Sequence, residues 1–196
     1  MRRLGLVMGF VLLAVGCQGA PAGVQEAALT ATPAQTGADK YGLGWVKGNV
    51  GGNPFVIRAD LFIDAPPDAV WKLVRDPNGY ASFNQALTAH IDKMAVGEPI
   101  SLDIRLLGDG LPPTNSQEKV AIFDEELHVA SWDRDFGLGQ VTHRPQLVEP
   151  EGTGTHYYTA LQLPESFGWL VVATFGAGIH HAFVEFADGL RVAAEK

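Results

Sequence analysis

The sequence predicts an α+β domain in which a curled antiparallel sheet of six to seven strands wraps around one long C-terminal helix. Between residues 87 and 163, apolar side chains recur mainly at every second position, as they do in strands with one buried face. The links between these segments are short, which favours antiparallel neighbours. Near the C-terminus the apolar spacing becomes three or four residues, which is typical of one helical stripe. This stripe consists of Phe175, Ile179, Phe183, Phe186 and Leu190.

The elements that precede the sheet are marked by composition and by turn residues. Residues 55–63 are rich in β-branched and aromatic side chains and indicate a strand that could join one edge of the sheet. A helix then begins in the segment 64–68, where Asp64 is a candidate N-cap and the prolines suit a first turn. Helical spacing continues to Arg75, and a second short helix or helical turn follows at residues 80–83.

Six further strands fill the middle of the chain. The alternation is clearest where Ile100, Leu102 and Ile104 face one way and polar residues face the other. The closing helix covers about residues 167–196, with Ser166 as a candidate N-cap. We predict the six strands at residues 87–94, 99–107, 118–124, 127–135, 140–148 and 153–163.

Length and charge restrict the class of protein. The chain has 196 residues, 46% of them hydrophobic and 18% charged, which suits one domain with a sizeable core. Its formal net charge is −8 and its basic residues form no cluster. An acidic chain of this kind is a poor binder of nucleic acid and of anionic lipid. We expect a monomer with no nucleic-acid partner.

The first seventeen residues differ from the rest. Two arginines are followed by an apolar run from Leu4 to Val15, which is too short to span a membrane comfortably and has the shape of a secretion signal. Cys17 is the single cysteine of the chain. The segment Ala14-Val15-Gly16-Cys17 resembles a bacterial lipobox, which implies cleavage before Cys17 and its modification with lipid, palmitate included. The alternative is an ordinary signal peptide with an incidental cysteine.

The segment between this signal and the domain divides into two parts. Residues 18–40 are rich in Ala, Gly, Thr, Gln and Pro and predict a flexible tether. Residues 41–53 contain Tyr41, Leu43 and Trp45, which suggest a piece that packs on the domain. We therefore divide the chain into a signal peptide (1–17), a tether and packing segment (18–53) and a folded domain (54–196). Gln18 follows Cys17 in place of the Asp that resembles an inner-membrane retention signal, so the resemblance to lipoproteins implies an outer-membrane location if the source is Gram-negative.

With its elements in this order, the domain resembles the START-like, helix-grip superfamily (SRPBCC), and in particular its polyketide cyclase/dehydratase and lipid-transport group. The resemblance covers about residues 54–196. It implies a cavity between the sheet and the C-terminal helix that holds an apolar or aromatic ligand, and it leaves the reaction open because fold alone does not fix function. The residues that carry it are the segment 63–71, Asp76, Tyr80, Trp132, the segment 152–155, Gly189, Leu190, Ala194 and Glu195.

Strand parity and helical phase select the residues expected to line this cavity. Tyr80 and Phe83 could gate an entrance from the short helices, and His143 or Tyr158 could supply a polar contact. The function predicted is the binding of a small hydrophobic ligand such as a lipid, a quinone or an aromatic metabolite. The expected apolar lining is Leu102, Ile104, Val120, Ile122, Trp132, Phe175, Ile179 and Phe183.

Two other functions stay open. If Glu149 and Gly152 lie opposite each other in the last hairpin, His143 faces Tyr158, and such a pair could act as acid and base in a cyclase or dehydratase. A filled interior would instead favour a protein-interaction module. We find neither an HExxH pattern nor a Ser/His/Asp arrangement, and we predict no catalytic residue, metal or cofactor.

Overall fold

The computed structural model describes residues 35–48, 55–106 and 112–196. The predicted signal peptide, Cys17 and most of the tether lie outside the described residues. Within these ranges there are two 3₁₀ helices, at Gly44–Lys47 and Pro77–Ser82. The α-helices and strands are α1 (Gly37–Lys40), β1 (Val56–Ile63), α2 (Pro67–Val74), β2 (Leu87–His90), β3 (Pro99–Ile104), β4 (Thr114–Asp124), β5 (Val129–Asp135), β6 (Val141–Glu151), β7 (Gly154–Gln162) and α3 (Glu165–Ala194).

The seven strands form one antiparallel sheet in the order β1-β7-β6-β5-β4-β3-β2. Strands β2 to β7 are a simple meander, as the short links predicted. The first strand lies at the far edge and pairs with β7 along its whole length, from Val56 opposite Gln162 to Ile63 opposite Thr155. The predicted fold class, a curled seven-stranded sheet with a long C-terminal helix, is confirmed.

The helix α3 contributes its apolar stripe to the core between helix and sheet. Ile179, Phe183, Phe186 and Leu190 are all buried. Phe175, predicted as part of the stripe and of the cavity lining, is 37% exposed. Nearer the N-terminus the packed positions of α3 are Gly168, Val171 and Gly176, so Phe175 lies beside the packed stripe and its predicted place in the lining is wrong.

The other side of α3 is unusually apolar for a surface. Trp169 and Leu170 are 59% and 52% exposed, and no charged residue stands between Glu165 and Glu185. By length and composition alone, α3 could also cross a membrane. Core helices of soluble proteins meet the same criterion, and α3 packs on β1 and α2.

An N-terminal segment covers the outer face of the sheet. Ala38, Leu43 and Val46 are buried there in a cluster that includes Val129 and Leu147. Regular structure begins earlier than the sequence indicated, because the residues at positions 36 and 39 form a reciprocal capping box at the start of α1. Residues 36–40 are therefore a capped helical turn rather than part of a flexible tether.

Several predicted boundaries were wrong in detail, and among the strands β4 begins at Thr114, four residues before its predicted start. The N-caps of α2 and α3 are Pro66 and Pro164, not Asp64 and Ser166, and neither makes a side-chain capping bond. Proline is well suited to these positions because its fixed φ already matches the turn that enters a helix. The strand β2 ends at His90, four residues before the predicted end.

Candidate functional site

The predicted site residues are distributed along the core and over both faces of the sheet. At one end of the core, Tyr80 is fully buried and donates a hydrogen bond of 2.6 Å to the backbone oxygen of Val74. Its ring meets Phe186 and Phe83 edge-on, at centroid distances of 4.7 and 5.8 Å. Tyr80, Phe83 and Phe186 thus form an aromatic cluster at this end of the interior.

The middle of the interior has apolar walls. On the helix side, Ile179 and Phe183 form a buried cluster with Leu106 and with residues of β1 and β7. The surface clefts beside the N-terminus of α3 and between α2 and the N-terminal segment are lined by residues other than Ile179 and Phe183. On the sheet side, the predicted lining residues that are buried in the main core cluster are Leu102, Ile104, Val120 and Trp132.

A buried ion pair lies within these walls. Glu118 of β4 accepts hydrogen bonds from Arg144 of β6, 3.1 Å from Nη2 and 3.3 Å from Nε. The Glu118 carboxylate also accepts a bond of 2.8 Å from the Ser116 hydroxyl. The two charged side chains are only 5% (Arg144) and 2% (Glu118) exposed. Removing two charges from water costs several kcal/mol each, so this pair is an expensive feature to place inside a small domain.

Two hydrogen-bond donors at this ion pair lack an acceptor. Within the described ranges, the buried Nη1 of Arg144 and Nε1 of Trp132 have no hydrogen-bond partner. The two residues are directly opposite each other on β6 and β5, so their side chains lie on the same face of the sheet. The Arg144 guanidinium also lies 5.5 Å from the centroid of the Phe183 ring. The site therefore presents unused N–H groups between aromatic walls.

A second polar group continues along the same face toward β7. Gln146 donates a bond of 2.9 Å to the Thr159 hydroxyl and accepts one from the Tyr157 hydroxyl. Burial raises the pKa of Tyr157, and burial likewise raises the pKa of Tyr80. Both phenols therefore stay protonated at physiological pH and act as donors rather than as bases.

Arg134 extends the polar row toward the N-terminal end of α3. Its Nη1 lies 3.4 Å from the Ser116 hydroxyl, and its guanidinium lies 4.6 Å from the centroid of the Phe136 ring. Phe136 in turn meets Phe167 of α3 at 5.2 Å. A half-buried cation thus stands between the buried ion pair and the solvent-facing end of the interior.

The predicted pairing of His143 with Tyr158 is wrong. In the hairpin, Glu151 is opposite Gly154, so His143 is opposite Gln162 and Tyr158 is opposite Leu147. Both side chains point to the outer face, because their neighbours in sequence at positions 144 and 157 occupy the inner one. The prediction failed because it assumed that Glu149 lies opposite Gly152, whereas the turn lies two residues later in the chain.

The structure also moves Ile122 out of the predicted lining. A β-bulge at Ala121 shifts the register between β4 and β5, so that Val120 is opposite Trp132 but Ile122 is opposite Ser131. One extra residue reverses the parity of everything after it. The next residue, at position 123, consequently packs on the main core, and Ile122 packs under the N-terminal segment.

Tyr158 and His156 form an outer-face group of their own. The two rings stack at 4.2 Å, and His156 lies within 3.0 Å of an Asp60 carboxylate oxygen. Burial and the nearby carboxylates raise the pKa of Tyr158. This group is separated from the Trp132 and Arg144 donors by the thickness of the sheet.

His143 gives a testable pH dependence. Its Nδ1 lies 2.9 Å from an Asp133 carboxylate oxygen, and this hydrogen bond raises the pKa of His143 above its usual 6.5. The stability from this pair is full below the unfolded pKa and is lost as pH rises through the higher folded pKa. Since 44% of the side chain is exposed, we expect His143→Asn to cost less than about 1 kcal/mol at pH 5.5 and nothing at pH 9.

Urea unfolding of both proteins at the two pH values measures this difference. His180 is an exposed histidine that forms no ion pair within the part of the chain that the structure describes, so His180→Asn is the matched control. An equal loss at pH 9 would show that the effect of His143 comes from packing rather than from its charge.

The residues that sequence analysis missed are the polar members of the inner row. Glu118, Arg144 and Gln146 were not predicted to line the interior, because apolar alternation assigns charged and polar residues to the solvent-facing side of a strand. One signal was available, since the polar residues at positions 142, 144 and 146 alternate along a single strand at the centre of the meander. In the described part of the chain, no group of three His, Cys, Asp or Glu side chains is placed to hold a metal ion.

Comparison with known proteins establishes the fold. No family model matches the chain. The aromatase/cyclase Zhui from Streptomyces sp. R1128 superposes with a TM-score of 0.58 at 13% identity, over 71% of this chain and 93% of that one. A protein of Thermus thermophilus gives a TM-score of 0.56 at 19% identity, over 71% and 96%. A protein of Chromobacterium violaceum gives 0.54 at 13% identity, over 73% and 99%. These similarities show that the domain has the helix-grip fold.

Proposed function

We propose that this protein binds a small, mainly apolar molecule between the inner face of the sheet and α3, and that it does so while anchored by lipid in a bacterial cell envelope. The ligand class is a lipid, a quinone or an aromatic metabolite that carries at least one oxygen acceptor. The observation that carries the proposal is the pair of buried, unpartnered donors, Trp132 Nε1 and Arg144 Nη1.

A buried donor without a partner is costly, at about 1–3 kcal/mol for each group. Most buried polar groups in proteins are hydrogen-bonded, so two exceptions that lie opposite each other need an explanation. A ligand oxygen between Trp132 and Arg144 would satisfy both. The apolar walls at Ile179 and Phe183 would hold the rest of the molecule, at about 25 cal/mol per Å² of apolar surface removed from water.

The route of entry follows from the gradient of burial along α3. Tyr80 and Phe186 close the C-terminal end of the interior. Nearer the N-terminus, Phe175 and Val172 are each 37% exposed. The ligand would enter at this end and move Phe183 aside to reach Arg144.

The envelope location rests on the sequence and on one surface. The lipobox-like segment ends at Cys17, and 17 residues separate it from the part of the chain that the structure describes. A domain held this close to a bilayer can bring Trp169 and Leu170 against it, and the uncharged outer face of α3 suits neutral lipid. Lipophilic ligands partition into the same bilayer. Labelling with radioactive palmitate tests the anchor, and a Cys17→Ala chain that still takes up the label would contradict it.

Native mass spectrometry tests ligand binding. We expect the full chain carrying Cys17→Ser, purified without detergent, to retain or take up one equivalent of a small lipid, quinone or aromatic compound. The variant Ile179→Trp should lose this adduct, because the larger ring fills the space beside Phe183. Val184→Trp lies on the exposed side of the same helix and is the matched control. A clean unliganded mass, with no uptake from a panel of such compounds, would favour a filled interior and an interaction module.

A further inference from the structure

The charges on the inner face of the sheet restrict which chemical groups a ligand can carry. Among the described strand residues that face α3, the charged ones are Glu118, Arg134 and Arg144. Two positive charges and one negative charge leave this face with one positive charge in excess. The excess charge is that of Arg134, which is half-buried, so water screens it only in part and an anion bound beside Arg144 would gain from it.

The Glu118 carboxylate does not neutralise both Arg144 and Arg134. Glu118 already accepts from Arg144 Nε, Arg144 Nη2 and the Ser116 hydroxyl. Arg134 contacts Ser116 and the Phe136 ring, and neither carries a charge. The fork that Arg144 makes with Glu118 also fixes the guanidinium plane, so its remaining Nη1 is held in place rather than free to turn away.

We propose that the site recognises an amphipathic monocarboxylate, with one carboxylate oxygen accepting from Arg144 Nη1 and Trp132 Nε1. The inference rests on the proposed function and names the class of its ligand. A hydrogen bond between an ionised donor and an ionised acceptor is roughly twice as strong as a neutral one, so the acid is bound in preference to an alcohol of the same chain length. A single carboxylate also balances the excess charge of the inner face.

The test compares matched probes on the full chain carrying Cys17→Ser. Laurate and 1-dodecanol share one alkyl chain and differ in the head group, and both are titrated calorimetrically below their solubility limits. We expect laurate to bind at least about tenfold more tightly. Trp132→Phe keeps an aromatic ring and removes the N–H, and it should weaken laurate about fivefold with little effect on dodecanol.

A double variant removes the charges of Glu118 and Arg144 together, so neither residue is left as a buried charge without its partner. In Glu118→Gln/Arg144→Gln the preference for laurate should disappear. Equal affinities for acid and alcohol in the parent chain would overturn the monocarboxylate inference and leave the proposed function standing. A preference that survives in the double variant would overturn the assignment to Arg144. Binding of neither probe, with no adduct in native mass spectrometry, would contradict the proposed function itself.

Discussion

Replacing Glu118 by Met should lower the free energy of unfolding by about 3–5 kcal/mol. The carboxylate is 2% exposed and holds a guanidinium that is 5% exposed, so its loss leaves the positive charge of Arg144 buried and uncompensated. Water cannot reach that charge without opening the interface between α3 and the sheet. The expected loss is a large part of the total stability of a domain of this size.

Urea unfolding of the single and double variants separates charge from packing. In Glu118→Met/Arg144→Met both charges are gone and apolar side chains take their place, so the double variant should be more stable than either single one. Arg75→Met is the surface control, because the Arg75–Glu125 pair is about half exposed and its loss should cost less than about 1 kcal/mol. A double variant less stable than both singles would show that the two losses add independently, which would contradict an uncompensated buried charge as the cause of the single-variant loss.

Two glycines of α3, two residues apart, should respond to the same substitution with opposite signs. A Cβ at Gly178 would lie 2.0 Å from the backbone oxygen of Leu106, just after the end of β3. A Cβ at Gly176 would meet nothing closer than 3.4 Å, a methyl of Val172. Ala is the better helix former by up to about 1 kcal/mol, so Gly176→Ala should stabilise the domain.

In Gly178→Ala the helix must move away from Leu106, because a backbone atom cannot rotate aside as a side chain can. We expect a net loss of about 1–3 kcal/mol, in line with overpacked sites. Thermal unfolding of the two variants under one set of conditions gives the comparison. Equal stabilisation by both would mean that α3 does not make this close approach to Leu106.

The order of the elements and the fold class could be predicted from the sequence because they depend on local patterns. Alternation with a period of two marks strands, and the stripe from Ile179 to Leu190 marks a helix, whatever lies around them. Short links then leave few ways to arrange six successive strands. The same patterns placed Trp132, Val120 and Phe183 on the sides of their elements that the structure shows to be buried.

The site itself could be predicted only in part, because its polar members depend on register and on partners distant in sequence. A single bulge at Ala121 turned Ile122 outward, and the register of the last hairpin separated His143 from Tyr158. Neither feature has a strong local signature. A bulge or a shifted turn moves side chains to the opposite face of the sheet without changing which residues are apolar, so the pattern in the sequence does not reveal it.

Local patterns were enough to predict a curled sheet, the apolar stripe on α3 and a lipobox-like start, and the order of the elements led to the resemblance to helix-grip proteins. That Glu118 and Arg144, which are 26 positions apart in the chain, meet inside the core could be seen in the folded structure alone. The physical reason is that burial of a charge is tolerated only when a partner is present, and the partner is supplied by the folding of β4, β5 and β6 into one sheet. The unused donors of Arg144 and Trp132, on which the proposed ligand chemistry rests, lie together because that sheet brings them to the same face.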